Sequence, residues 1–196
     1  MSVPRQQLES WVGTLSIKAD RVLDVGGSQK PVNKRVREWE VKEYIIADLE
    51  TPHDNSPKPD VIVNIGGEMT EEFRKNIIRS NVLFCLEVME YVFDPVKALK
   101  NMNALLEEDG LLYISFNFNY PVHNPIGLDY LRYTRFGVEK LLKETGFEIL
   151  QLEPRVCSMK DGYPELMSFY SKQGMKYAKD YPYHSDTGYL VKAKKI

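Results

Sequence analysis

The stretch NVLFCLEVMEYVFDPVKALKNMNALLEEDGLLYISF, residues 81–116, decides the fold. It opens on an almost unbroken apolar run, NVLFCL (81–86), and closes on another, GLLYISF (110–116). Runs of this kind, without polar alternation, belong to parallel strands buried on both faces. Between them DPVKALKNMNALLEED (94–109) reads as a helix. Asp94 can cap its N-terminus, and Pro95 takes the first-turn position, where a missing N–H is harmless. Val96, Leu99, Met102, Leu105 and Leu106 share one face, and Gly110 is expected to end the helix.

Working outward, the same alternation continues. RVLDV (21–25), YIIADL (44–49) and DVIVNI (60–65) are strand candidates upstream. FEILQLEPRVC (147–157) and TGYLVKAKK (187–195) follow downstream. TRFGVEKLLKETG (134–146) is a second helix, with Thr134 as its cap and Gly146 as its stop, whereas SQKPVNKRVREWE offers only a short, late-starting one. The pattern predicts one α/β domain over 1–196, its sheet covered by helices on both faces. Residues 1–19 form a helical lead-in, and a Tyr-rich insertion, 158–186, precedes a last strand expected to enter antiparallel. Those tyrosines either cover the mouth of a substrate site or pack on the sheet or a partner.

The 196 residues suffice for one substantial core. A net charge of −2 argues against a nucleic-acid surface, which needs a basic stripe. No apolar run approaches the ~20 residues of a membrane span. The first residues, MSVPRQQLESWVG, lack the apolar core of a signal peptide. Cys85 and Cys157 both fall in apolar strand-like segments and read as buried thiols. A soluble protein of a reducing, cytoplasmic compartment is expected.

Ligands of open α/β sheets bind beyond the carboxyl ends of the strands. The first strand ends in Asp24, Gly26, Gly27 and Ser28, the second in Asp48, the third in Asn64 and the fourth in CLEV. Adjacent glycines let a backbone approach a ligand closely, and an acid about 20 residues further on is placed to grip ribose hydroxyls. A dinucleotide loop would want a third glycine and a helix aimed at a pyrophosphate. A cofactor without phosphates needs neither.

LEVMEYVFDP followed by LLEEDGLLYIS closely resembles the pattern of class I S-adenosylmethionine-dependent methyltransferases, over about residues 20–150. VLDVGGS resembles that family's first motif and IIADLE its acidic second one. The resemblance implies a Rossmann-like, mostly parallel seven-stranded sheet with an antiparallel last strand, and S-adenosyl-L-methionine as cofactor. It implies that Asp24, Gly26, Gly27 and Ser28 shape the pocket around the methionine moiety. Asp48 would hold the ribose, Leu49 would pack on the adenine, and Asn64 would receive the adenine amino group. Cys85, Leu86 and Glu87 would line the opposite side, largely through backbone. The sequence departs from the pattern in lacking the later glycine, in Tyr91 where the family has His, and in EEDG for KPGG.

On the substrate side, NFNYPVHNPIGLDYLRYTRFGVEKLL (117–142) is similar to the H…DYWR[FY]T segment of a methyltransferase subgroup associated with surface sugars. The similarity implies a sugar-like small-molecule acceptor, which Asn124, Tyr130, Arg132 and Tyr133 could bind; a hydroxyl acceptor would also want a general base, and His123 is the best candidate by residue type and location. The alternative at this point is a structural lead-in, its tyrosines packing and Arg132 paired with a carboxylate. No metal site, nucleic acid or membrane is expected as a partner, and a homodimer is compatible with the sequence. The rival function is a methyltransferase-fold binding protein that serves a partner without catalysis.

Overall fold

The computed structural model describes residues 2–51, 57–69, 79–122, 127–157 and 186–196. Helix α1 (Val3–Val12) leads into strand β1 (Ser16–Val25), and β2 (Glu38–Asp48) and β3 (Val61–Ile62) follow. After β4 (Ser80–Cys85) come α2 (Pro95–Leu105), β5 (Leu106–Asn117), α3 (Arg135–Glu144), β6 (Phe147–Val156) and β7 (Asp186–Lys195). The sheet order is β3-β2-β1-β4-β5-β7-β6. Strands β1 to β5 pair in parallel, and β7 inserts antiparallel to both β5 and β6. The antiparallel last strand expected from the sequence is thus present, wedged between its two predecessors.

Alternation along the central strands feeds two cores. Val82 and Phe84 of β4 face one side of the sheet, Leu83 and Cys85 the other. On the first side Leu8, Trp11 and Val12 of α1 cover the sheet, with the Trp11 ring 5.9 Å from Tyr113, which stacks on Phe84 at 4.8 Å. On the second side Leu99 and Met102 of α2 and Val138 and Leu142 of α3 complete a larger core. Helices therefore cover both faces, as the alternation predicts.

Three local expectations are corrected. The segment 26–37 contains only a single 3₁₀ turn, Val32–Lys34, before β2 begins. Helix α1 packs in the same core as Val32, and its Glu9 draws in Lys30 at 2.7 Å and Arg35 at 3.0 Å. Strand β1 begins at Ser16, so the helical lead-in stops well short of residue 19. Helix α2 begins as expected, with Lys97 N–H donating to Asp94 at 2.9 Å, but ends at Leu105 rather than Asp109. Glu107 to Gly110 belong to β5, whose register against β4 shifts between Ser80 and Val82, and Asp109 is in the left-handed region (φ 60°). Ala98, Leu99, Asn101, Met102 and Leu105 are the buried residues of α2, while Val96 faces solvent.

Thr134 caps α3 through Gly137 N–H at 3.1 Å, and Gly146, with φ 82°, follows its last turn. Cys85 is buried and Cys157 only partly so, and no disulfide joins them. Among the described residues no helix is long and apolar enough to cross a membrane.

Candidate functional site

A cleft of about 480 Å³ opens at the carboxyl ends of the parallel strands, where ligand sites of such sheets lie. Val25 and Gly26 line it from the end of β1, Asp48 and Leu49 from β2, and Asn64 to Gly66 from the segment after β3. Glu87, Val88 and Tyr91 to Asp94 come from beyond β4, and Leu128 and Tyr130 from beyond β5. Six predicted residues thus meet on one cleft: Gly26, Asp48, Leu49, Asn64, Glu87 and Tyr130.

The loop after β1 is held from within. Gly26 has φ +79°, its N–H donates to Ala47 O at 2.8 Å, and a Cβ there would overlap the Val88 side chain. Asp24 turns its carboxylate under the loop: Oδ2 accepts from Val32 N–H at 2.9 Å and from the Tyr44 hydroxyl at 2.5 Å. A Cβ on Gly27 would collide with that carboxylate. Burial pushes the Asp24 carboxyl up to about 6, against the pull of its two hydrogen bonds. Burial and the Asp24 charge likewise push the Tyr44 phenol well up. Asp24 is therefore absent from the cleft wall and lies beneath the loop that forms it.

Asp48 Oδ2 accepts from Ser28 N–H at 3.2 Å and Oδ1 from Leu49 N–H at 2.8 Å. A carboxylate has about four acceptor sites, so each oxygen keeps a lone pair for a hydroxyl donor. Leu49 beside it is 49% exposed, an apolar surface next to the acid. Asn64 Oδ1 accepts from Gly66 N–H at 3.1 Å. Ser28 and Gly27 are buried beneath the cleft. Leu86 packs toward the α1 core. Cys85 is enclosed between β1 and β5, and burial raises its thiol well above the ordinary range, which leaves a packing residue and no nucleophile.

Behind the cleft lies a polar network built from the segment after β4 and from strands β5 and β6. Glu87 adopts φ 58°, rare for a side-chain-bearing residue and typical of functional sites. Its N–H donates to Ser115 Oγ at 2.8 Å, and that hydroxyl donates back to Glu87 Oε1 at 3.0 Å. Arg155 of β6, wholly buried, donates to the same Oε1 at 2.8 Å, to Phe116 O at 3.2 Å and to Asn117 Oδ1. Asn117 Nδ2 donates to Glu90 Oε1 at 2.7 Å. Burial, reinforced by the Glu87 charge, pushes the Glu90 carboxyl up to about 8.

The remaining predicted residues divide. Arg132 is a structural clasp: its guanidinium binds both Asp129 oxygens and the carbonyls of Tyr120, Pro121 and Leu131. Tyr133 is buried, its hydroxyl on Met89 O at 2.7 Å and its N–H on Asn117 O at 2.8 Å. The lead-in reading of LDYLRYT describes these two contacts. His123, Asn124 and the Tyr-rich segment lie outside the described residues.

Sequence reasoning passed over Arg155, Ser115, Phe93 and Leu128. A lone Arg inside the strand-like LEPRVC was the available signal for the first; the others carry none. Among the described residues no group of three or more His, Cys, Asp or Glu could hold a metal ion.

No family model matches the sequence, and no curated protein matches it. Solved structures do match its shape. A chain from the complex between the Haloferax volcanii Trm112 methyltransferase activator and a methyltransferase superimposes with a TM-score of 0.63 at 11% identity, over 98% of this chain and 89% of that one. An S-adenosylmethionine-dependent methyltransferase from Mesorhizobium loti gives 0.59 at 11% identity, over 98% of both chains. A methyltransferase from Bacillus halodurans gives 0.57 at 15% identity, over 96% and 97%. With the strand order, the inserted antiparallel strand and the cleft at the strand ends, these likenesses show that the chain has the fold of the class I S-adenosylmethionine-dependent methyltransferases.

Proposed function

We propose that this protein binds S-adenosylmethionine in the cleft and transfers its methyl group to a small-molecule acceptor. The observation that carries the reading is the pairing of Asp48 with the exposed Leu49 on the same wall as Gly26. A carboxylate with a lone pair left on each oxygen suits a vicinal diol, and the leucine beside it suits a purine face. The residues present therefore fit the nucleoside half of the cofactor, which when bound supplies a methyl group activated by a sulfonium.

The chain's own residues position and shield. Gly26 brings backbone to the cleft without a side chain in the way. Asn64 presents an amide beside the apolar wall. Glu87, fixed by Ser115 and Arg155, sets a carboxylate toward a cationic ligand. Tyr91, Val92 and Phe93 wall off the end nearer α2, where excluding water favours an in-line displacement. Of the side chains behind the sugar-like acceptor expected from the sequence, Tyr130 lines the cleft, Arg132 is clasped elsewhere, Tyr133 is buried, and His123 and Asn124 lie outside the described residues. The acceptor here is accordingly proposed as a small molecule without that restriction.

Calorimetric titration of S-adenosylmethionine and S-adenosylhomocysteine into the wild type and Asp48→Ala tests the reading. Loss of a charge-assisted contact costs about 1.5–3 kcal/mol, tenfold or more in affinity. Micromolar binding that weakens by that factor is expected. Absence of binding at millimolar cofactor would overturn the reading.

A further inference from the structure

The acceptor end of the cleft differs in character from the cofactor end. Its walls are Tyr91, Val92, Phe93, Leu128 and Tyr130, contributed by the segments after β4 and β5. Phe93 stands 78% exposed and Tyr130 46%, their rings edge to face at 5.6 Å and 79°. An exposed Phe braced against a half-exposed Tyr contributes little to the core, but it forms a corner of two aromatic surfaces at the mouth of the site.

Among the described residues the charges on the cleft wall itself are of one sign, while Glu87 is paired behind it with Arg155 at 2.8 Å and Arg5 at 3.8 Å. Among the described residues that line the cleft, the charged ones are Asp48, Glu87 and Asp94, with no Lys or Arg. The nearest cation of the β5 loop, Arg132, is neutralised by Asp129 and also donates to the carbonyls of Tyr120, Pro121 and Leu131. Arg155 is sealed behind Glu87 with no exposed surface. The hydroxyl of Tyr91 on the same wall is pushed up to about 12, by burial first and then by the charges of Glu90, Asp129 and Glu87, with Arg132 opposing.

These features sort the acceptor classes. Among the described residues that line the cleft, a phosphorylated or carboxylated acceptor would meet carboxylates and no Lys or Arg. A polyhydroxylated one would face mainly aromatic and aliphatic walls. A cation with an apolar body finds aromatic faces and acids together, the combination that recognises ammonium groups.

We infer that the acceptor is an amine with an aromatic or aliphatic body, methylated on nitrogen. The inference rests on the reading given under Proposed function and supplies its substrate class. The amine enters as an ammonium ion and releases one proton to solvent. The nitrogen lone pair then forms the N–C bond while the C–S pair leaves with sulfur, giving a methylammonium product and a neutral thioether. The new positive charge resides on nitrogen, beside Phe93 and Tyr130. The ammonium proton is far more acidic than that of an alcohol, so this chemistry asks less of a base than a hydroxyl acceptor does.

The test uses three probes of similar size: 2-phenylethylamine, 2-phenylethanol and 3-phenylpropionate. Each is titrated into the protein with and without saturating S-adenosylhomocysteine, and the amine is incubated with S-adenosylmethionine for detection of its N-methyl product by mass spectrometry. The amine is expected to bind at least fivefold tighter than the alcohol or the acid, and to be methylated. Phe93→Ala, whose side chain is exposed and whose thermal midpoint should match wild type, is expected to weaken the amine threefold to tenfold; Tyr130→Leu should do the same. Equal or tighter binding of the alcohol or the carboxylate, failure of the amine to bind, or an unchanged amine affinity in both variants would overturn the inference. Failure of S-adenosylhomocysteine itself to bind falls on the cofactor reading instead, and the amine titration of the unliganded protein is scored separately.

Discussion

Replacing Arg155 by Met removes the one guanidinium at the centre of the buried network while keeping most of its aliphatic volume. Arg155 has no exposed surface and binds Glu87 at 2.8 Å, Phe116 O at 3.2 Å and Asn117 Oδ1. Without it, Glu87 keeps Ser115 and the distant Arg5, 3.8 Å from its other oxygen. Glu87 is then left as a largely buried carboxylate without its close counter-ion. Breaking a buried pair by removing one partner costs about 3–5 kcal/mol, a large share of the 5–15 kcal/mol that stabilises a typical domain. For a chain of this size each kcal/mol moves the midpoint by about 2–4 °C, so the thermal midpoint should fall by roughly 6–20 °C.

The double variant Glu87→Gln/Arg155→Met separates charge from packing. A neutral amide beside Met leaves no uncompensated ion, so the double variant should lose less than the sum of the two single ones, by about 2 kcal/mol or more. Urea unfolding of the wild type, both singles and the double reads the coupling. Additivity within about 0.5 kcal/mol would refute the assignment of Arg155 as the counter-ion that fixes Glu87.

Gly26→Ala forces a side chain into φ +79° and against Val88, and strain of this kind costs about 1–3 kcal/mol. Its urea midpoint should drop, and adding Val88→Ala should restore only the part due to overlap. Glu90→Gln probes pH dependence. The folded Glu90 carboxyl is raised to about 8 from an unfolded value near 4.5, by burial first, then by Glu87 and Asp129, against Arg155. The folded state therefore binds the extra proton, and this stabilisation is complete below about pH 4.5 and lost as pH rises toward 8. Urea midpoints at pH 6 and pH 8.5 should fall further between those values in the wild type than in Glu90→Gln; an equal fall in both would place the titrating group elsewhere.

The β4–α2–β5 unit was legible because its strands are buried on both faces and its helix carries an Asp–Pro start. The end of that helix was not, because Glu107, Glu108 and Asp109 favour a helix locally, while the pairing of Leu106 and of Leu111 with β4 on either side draws them into an irregular part of β5. The starts of β1 and β2 were hidden for a different reason. Their first halves alternate charged residues with Ile17, Ala19, Trp39 and Val41 instead of running unbroken apolar, and they are joined across the pair by Lys18 with Glu40 at 2.9 Å and Lys42 with Asp20 at 2.7 Å. Exposed pairs such as these add little stability, so the extension follows the backbone ladder that the apolar ends of the strands begin. In the site, the position of Asp48 followed from spacing alone. Whether Asp24 faces a ligand or its own loop depended on Tyr44, 20 residues away, and the partner of Glu87 lay 68 residues downstream. Pairings at such separations leave no mark in a local pattern.

The short first loop follows from the same contacts. With no α-helix between β1 and β2, the loop is ordered from below by Asp24 and Tyr44, and from the side by Glu9 of α1 through Lys30 and Arg35. The N–H groups of Gly26, Ser28 and Val32 are committed to Ala47 O, Asp48 and Asp24 respectively. A phosphate cradle would need such donors pointing outward with a helix dipole behind them. Here they point inward, so the loop can lie close to a ligand but has little with which to grip a pyrophosphate. The absent third glycine and the absent helix are thus two consequences of one design, a loop braced by side chains, and that design favours a cofactor held by its ribose over one held by its phosphates.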